Sequence, residues 1–176
     1  YRQEYKSMNE DAKRKAIAKE TDQAELSNVT FENLESLGKP VSLEYDFEVA
    51  DAVEDIAGKL YFSPLVFMAA KESPFKPDTR LYPIDFGYPM KDRYIVNIDL
   101  PEGYQVESLP ENTVFNLGEN IGSFRYLKSQ IGNKLQLSVE FSINKSFIAA
   151  EEYGNLKKFY ELLIAKENEK VVLSKA

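Results

Sequence analysis

Apolar and polar residues alternate along several stretches of the chain. In the clearest stretch, every second residue from Val41 to Val49 is apolar and each residue between them is Ser, Glu or Asp. A longer stretch over 134–143 alternates in the same way, from Leu135 to Ile143. A period of two with one polar face is typical of antiparallel strands that cover a core on one side. We therefore predict a mainly β protein.

Shorter alternating stretches predict further strands, which lie at 29–33, 59–63, 94–100, 104–109, 114–117, 122–128 and 170–175. The turn residues Pro101-Glu-Gly103 predict that 94–100 and 104–109 pair with each other as neighbours. The turn Ile131-Gly-Asn133 predicts the same for 122–128 and 134–143. Charged residues flank the last stretch, and this pattern favours an edge strand there.

Two stretches outside the strands have helical spacing. Residues 1–20 carry a thin apolar stripe, and Ser7-Met-Asn-Glu10 fits a capping box. Residues 151–164 carry a broader apolar face, with Glu151 and Glu152 at the start, where the helix dipole favours them. The predicted fold class is mainly β (α+β content): an antiparallel β-sandwich with an N-terminal helix and a C-terminal helix.

The thin stripe of the first helix suggests that it needs a partner surface. We predict that residues 1–24 are a helical linker from a preceding domain and that residues 25–176 are the β-sandwich domain. The chain begins with Tyr1 rather than Met. We therefore expect a fragment or a processed product.

The segment 80–89 contains two Tyr-Pro steps, Tyr82-Pro83 and Tyr88-Pro89, on either side of Gly87. Proline fixes φ, forces the residue before it into an extended conformation, and lowers the cost of a cis peptide bond. We expect a stiff, bent approach into a sheet, with either Tyr-Pro bond a candidate for cis and a positive φ at Gly87. Arg80 and Asp85 are a plausible ion pair across the bend.

Charge and residue usage exclude several classes of function. The net charge is −7 and the pI is about 4.8, which argues against nucleic acid or an anionic membrane surface as a partner. No stretch approaches the ~20 apolar residues of a membrane span. The chain contains neither Cys nor His, so His bases, Cys nucleophiles, Cys/His zinc sites and disulfides are excluded within it. We predict no catalytic, cofactor-binding or metal-binding residues.

The stretch 46–55 is acidic, and Ca²⁺ prefers the oxygen ligands that carboxylates supply. Its spacing does not match an EF-hand loop. An ordinary solvated surface is the favoured interpretation, and cation binding remains the alternative.

Several short motifs resemble a known bacterial domain. These are Ser73-Pro-Phe-Lys76, Arg80, Pro83-Ile-Asp-Phe86, Pro101-Glu-Gly-Tyr104, Glu107-Ser-Leu-Pro110, Leu156-Lys-Lys-Phe-Tyr160 and Val172-Leu-Ser-Lys175. The chain resembles, over about residues 25–176, the β-rich C-terminal domain of unknown function that follows the transglutaminase-like core in secreted or periplasmic proteins of Gram-negative bacteria. Ser73 stands where that family would have Asn. The resemblance implies a secreted or periplasmic location and places the Cys–His–Asp site in the core, outside this chain.

Three functions remain open at this stage. The leading one is a non-catalytic accessory domain that packs against a preceding domain of the same polypeptide or presents substrate to it. The second is a free-standing glycan- or peptide-binding module, for which the candidate exposed ligand-binding residues are Tyr82, Tyr88, Tyr126 and Tyr153. The third is an enzyme that uses paired carboxylates, as glycosidases do.

Overall fold

Antiparallel strands make up 41% of the chain and helices 21%, which confirms the predicted fold class. The computed structural model describes residues 2–22 and 24–176. Contacts within the chain divide it into two compact units, residues 1–52 and residues 53–176. The predicted boundary at residue 24 stays a prediction, because a division by contacts does not measure which part folds on its own.

The first unit contains two short helices and a two-stranded sheet: α1 Arg2–Lys6, α2 Glu10–Glu20, β1 Glu25–Glu32 and β2 Ser42–Glu48. The prediction of one continuous helix and of a capping box at Ser7 was wrong. Asn9 caps α2 instead, because its side-chain oxygen accepts a hydrogen bond from the backbone N–H of Ala12 at 2.8 Å. That cap satisfies a donor that a continuous helix would have bonded internally.

The apolar side chains of the first unit meet around Tyr5. This residue and Ile17 are buried, and the ring of Tyr5 lies 4.9 Å from the ring of Phe31 on β1. The face of β2 that alternates most regularly in the sequence is only half-buried, and Phe47 on it is exposed. A regular pattern therefore identified the strand without indicating how deeply it would be covered.

The second unit is built on two four-stranded antiparallel sheets. Its elements are β3 Val53–Ile56, β4 Lys59–Phe62, β5 Ile84–Asp85, β6 Met90–Asp99, β7 Tyr104–Ser108, β8 Thr113–Leu117, β9 Gly122–Ile131, β10 Lys134–Ile143, β11 Phe147–Ile148, α3 Tyr153–Glu167 and β12 Val171–Lys175. The large sheet has the order β6-β10-β9-β8, and the small sheet has the order β3-β4-β12-β7. Strands β5 and β11 form a separate short pair.

Two pairings differ from those expected. The turn at 101–103 does not close a hairpin, because β6 pairs with β10 while β7 pairs with β12. The chain thus leaves the large sheet and enters the small one at this turn. Strand β12 lies between β4 and β7 rather than at an edge, and its Val171 and Leu173 are buried. Burial of these two side chains outweighs the edge preference of the charged residues around them.

The main core lies between the large sheet and α3. Phe124, Tyr126, Leu137 and Val139 on the sheet join Leu156, Phe159 and Leu163 on the helix in one buried cluster. The inward set predicted for 135–143 is confirmed, since Leu135, Leu137, Val139, Phe141 and Ile143 are all buried. A smaller cluster of Leu100, Leu135, Val171 and Leu173 joins the large sheet to the small one.

Candidate functional surfaces

The segment 80–89 presents two of the four predicted tyrosines to solvent. Tyr82 is 77% exposed and Tyr88 is 70% exposed. A hydrogen bond of 2.8 Å from the backbone N–H of Gly87 to the Asp85 carboxylate stabilises the bend between them. Gly87 itself has φ 76°. The positive φ predicted at this glycine is confirmed, and it is a conformation that side chains other than glycine seldom adopt.

Two finer expectations about this segment were wrong. No cis peptide bond occurs in the described residues, so both Tyr-Pro bonds are trans. Arg80 and Asp85 form no ion pair within the part of the chain that the structure describes, and the Asp85 carboxylate accepts from the Gly87 N–H instead. The segment is anchored instead by the buried Ile84 and by a hydrogen bond of 2.7 Å from the N–H of Phe86 to the carbonyl of Ser146.

The other two tyrosines, Tyr126 and Tyr153, were wrongly expected to be exposed. They are 1% and 2% exposed. Tyr126 points inward because it lies on the covered face of β9, directly across from Val139. Tyr153 begins α3, and its hydroxyl donates to the carbonyl of Pro77 at 2.7 Å. Both are therefore core residues, which leaves Tyr82 and Tyr88 as the exposed members of the four predicted tyrosines.

A buried carboxyl group lies at the C-terminal end of α3. Glu167 is almost fully buried and accepts a hydrogen bond from the backbone N–H of Ala70 at 2.9 Å. Burial raises the pKa of the Glu167 carboxyl, the Ala70 N–H lowers it, and the Asp92 carboxylate adds to the rise. Burial likewise raises the pKa of the neighbouring Tyr160 to about 12.

Glu167 and Asp92 line one cavity, with Tyr94 and Tyr160 beside them. Two carboxyl groups with different surroundings are the arrangement that glycosidases use, so this is the place where the paired-carboxylate interpretation can be tested. The cavity measures about 150 Å³, whereas ligand sites usually measure about 300–1,000 Å³. Glu167 is also fixed by the Ala70 N–H. The arrangement therefore supports a structural role that links α3 to the loop at residue 70.

The large sheet has a second face, which points away from α3. This open face carries Lys91, Arg93, Ile95, Asn97 and Asp99 of β6, Lys134, Gln136, Ser138, Glu140 and Ser142 of β10, Ser123, Arg125, Leu127, Ser129 and Ile131 of β9, and Val114 and Asn116 of β8. Glu140 lies across from Arg93 on one side and from Arg125 on the other. The strand register thus places two guanidinium groups on either side of one carboxylate.

Glu140 does not bind either of the arginines that lie directly across from it in the strand register. Glu140 pairs with Lys91, with 3.0 Å between the carboxylate oxygen and the ammonium nitrogen. This hydrogen bond is the main reason that the pKa of Glu140 lies below its ordinary value, and the charges of Arg125 and Arg93 lower it further. Among the described residues, neither arginine has a hydrogen-bond or ion-pair partner. Beside them lies a depression of about 210 Å³, lined also by Leu127 and Ser138.

Sequence reasoning missed the charged row on the open face. The alternation over 134–143 correctly placed Glu140 outward, but it could not say which cations would face it. That information lies in the pairing of β10 with β6, whose residues are far away along the chain. The turn at 131–133 did predict that β9 pairs with β10. The sequence therefore indicated that Arg125 would lie near Glu140, but it did not indicate Arg93.

The acidic stretch 46–55 is engaged by neighbouring groups at several points. Asp46 accepts a hydrogen bond from the side-chain amide of Asn28 at 2.6 Å, and Asp55 accepts one from the N–H of Gly58 at 3.0 Å. Glu54 pairs with Lys170 at 2.7 Å. Within residues 2–22 and 24–176, no three His, Cys, Asp or Glu side chains are grouped closely enough to hold a metal ion. No helix in that same part could cross a membrane.

Comparisons with known proteins address the fold and the family. A crystal structure described as "a putative protease from Parabacteroides distasonis ATCC 8503" is similar, with a TM-score of 0.55 and 14% sequence identity. The match covers 71% of this chain but 25% of that one, so the chain spans about a quarter of the length of that protein. No curated protein matches the sequence. Residues 58–173 match a family described as "Domain of Unknown Function with solved-structure structure" (DUF3858), which is most of the chain, and the chain therefore belongs to this family.

Proposed function

We propose that this chain is a non-catalytic accessory domain of a larger, transglutaminase-like polypeptide that is secreted or periplasmic. The observation that carries the proposal is the unequal coverage of the structural match. A fold similar to 71% of this chain makes up 25% of a much longer protein. Domains of one long chain share interfaces with one another, so a partner for this domain is expected within the same polypeptide.

The residue content of the chain supports a non-catalytic role. Without Cys or His, the chain cannot supply the nucleophile and base of a transglutaminase-like site, so that site would belong to a preceding domain. The carboxyl pair at Glu167 and Asp92 lines a cavity that is small for a substrate. The role of the domain is to pack against the catalytic core or to present substrate to it.

The test is the identity of the native polypeptide that carries this sequence, captured with an antibody against the chain and identified by mass spectrometry. We expect a product well above 20.1 kDa that extends upstream of Tyr1 and contains a Cys–His–Asp core. A native product that begins near Tyr1 would contradict the proposal. A long product whose upstream part lacks those three residues would retain the accessory role and reject the transglutaminase-like core.

A free-standing glycan- or peptide-binding module is the second candidate, and the exposure of Tyr82 and Tyr88 favours it. Exposed aromatic rings offer flat, apolar surface at a low entropic cost. Binding in a glycan or peptide array should then be lost in Tyr82→Ala/Tyr88→Ala. The control is Leu37→Ala, which removes a similarly exposed apolar side chain from the first unit. If the paired variant keeps its binding, the tyrosines are not a ligand site.

A further inference from the structure

We propose that the open face of the large sheet binds a carboxylate-rich polypeptide segment, with Arg93 and Arg125 as the groups that contact the carboxylates. This inference does not depend on which catalytic domain precedes the chain. It rests on the charge of the face, on the free donors of the two arginines, and on the shape between them.

The charge of the open face is opposite to that of the chain as a whole. The chain carries −7. The open face carries four cations, Lys91, Arg93, Arg125 and Lys134, and two anions, Asp99 and Glu140, so its net charge is +2. Lys134 and Asp99 pair with each other at one end of the face. The excess positive charge is therefore concentrated around Glu140, and it would attract a partner of negative charge.

The two arginines have donors to spare. In an ordinary cross-strand ladder the central carboxylate would bind the cations directly across from it, because opposite charges on paired positions stabilise a sheet. Here Glu140 binds Lys91 instead, and in the described part of the chain the guanidinium groups of Arg93 and Arg125 bind nothing. Guanidinium groups offer paired N–H donors that match a carboxylate. An incoming carboxylate therefore need not displace Glu140.

The shape of the depression favours a side chain over a free small ligand. Its volume of about 210 Å³ is below the roughly 300–1,000 Å³ of small-molecule sites. Ser138 is a small residue between Leu127 and Ile95, which lie across from it on the two neighbouring strands. Ile95 is 55% exposed and Leu127 is 37% exposed. The face thus fits a polypeptide whose aliphatic side chains rest on these two residues while its carboxylates reach the arginines.

The test titrates the intact chain into a fluorescein-labelled peptide of repeating Glu and Leu residues and follows fluorescence anisotropy. We expect binding that weakens as salt is added, that falls by about tenfold or more in Arg93→Gln/Arg125→Gln, and that strengthens in Glu140→Gln, because a competing negative charge is removed. Damage to the fold would weaken binding, so the stronger binding expected of Glu140→Gln cannot be explained by misfolding.

The control variant is Arg80→Gln/Lys145→Gln, which removes the same charge from two exposed side chains that are not part of the open face. It should bind like the unaltered chain. Equal losses in both double variants would show attraction by overall charge alone and would overturn the proposal. So would equal binding of a peptide with Gln in place of Glu. Competition by free citrate at the same concentration as the peptide would reject a polypeptide in favour of a small carboxylate ligand.

Discussion

The two faces of the large sheet are made by the same strands and have opposite surroundings. On the covered face, Phe124 and Val139 are completely buried beneath α3. On the open face, the neighbouring positions carry arginine, glutamate and serine beside the half-exposed Ile95. Alternation assigns each residue to a face. Which face becomes a core is decided by the element that arrives to cover it, here α3.

The same contrast governs the carboxyl groups near the two faces. Glu167, on the covered side, has a raised pKa because burial penalises its charged form. Glu140, on the open side, has a lowered pKa because Lys91 binds it and two arginines lie nearby. The buried carboxyl group of Glu167 therefore resists charge, while the paired carboxyl group of Glu140 favours it. Three experiments test this difference between the two faces.

The largest effect is expected from truncating one leucine on each face. Leu137 of β10 is buried on the covered face, and Leu137→Ala should lower the free energy of unfolding by about 2–5 kcal/mol, because it removes buried surface and leaves a cavity. Leu127 of β9 lies on the open face, and Leu127→Ala should cost less than about 1 kcal/mol. Urea unfolding followed by circular dichroism measures both. Equal losses would show that the open face is also covered in solution.

A second, smaller effect is expected where β9 begins. A methyl group on Gly122 would lie 2.6 Å from the carbonyl oxygen of Ser142 and 3.1 Å from the Cδ1 of Ile143. Because the nearest atom belongs to the backbone, it cannot rotate away. Gly122→Ala should therefore destabilise the unit by about 1–3 kcal/mol, measured by the same unfolding experiment.

Gly154 supplies the matched control for that substitution. It lies in α3, and outside its own turns of helix an added methyl group would meet no atom within 4 Å. Gly154→Ala should raise the free energy of unfolding by roughly 0.5–1 kcal/mol, since alanine loses less backbone entropy than glycine in a helix. A stabilising result at Gly122 would mean that the contact between β9 and β10 at Ser142 is looser than the structure shows.

Much of the fold followed from sequence periodicity. We predicted the strands at 122–128 and 134–143, the turn between them and the inward residues of β10. These could be predicted because a short turn sets the register of the two strands that it joins. The C-terminal helix was predicted for a similar reason, since its apolar face repeats within one element.

The sequence did not predict pairing between segments that are far apart along the chain. The short alternating stretch at 170–175 contains no signal that β4 and β7 will lie on either side of it. The turn at 101–103 has the composition of a hairpin, yet the chain changes sheets there. In both cases the partner is chosen by the burial of side chains from far along the chain, as with Leu173 against Leu100. The exposure expected for Tyr153 was wrong because its hydroxyl binds the distant Pro77. Tyr126 is buried within a hairpin that was predicted, since it lies across from the inward-facing Val139, so that error lay in assigning its face. Ligand binding at Tyr82 and Tyr88 stays a prediction.

The smallest effect is a difference in pH dependence between the two carboxyl groups. Because the folded pKa of Glu167 lies above the ordinary value of 4.5, the folded state holds this proton more tightly than the unfolded state does. Its contribution to stability is therefore present below that value and is lost as the pH rises through the raised pKa. Thermal unfolding measured from acidic to neutral pH should show that Glu167→Gln removes this loss while the amide oxygen still accepts from Ala70. Glu140→Gln is the opposite case. The lowered pKa of Glu140 adds stability above the ordinary value, and this stability disappears as the pH falls through the lowered pKa of the folded state. If both variants changed the profile on the same side of the ordinary value, the two faces would not differ in how they treat charge.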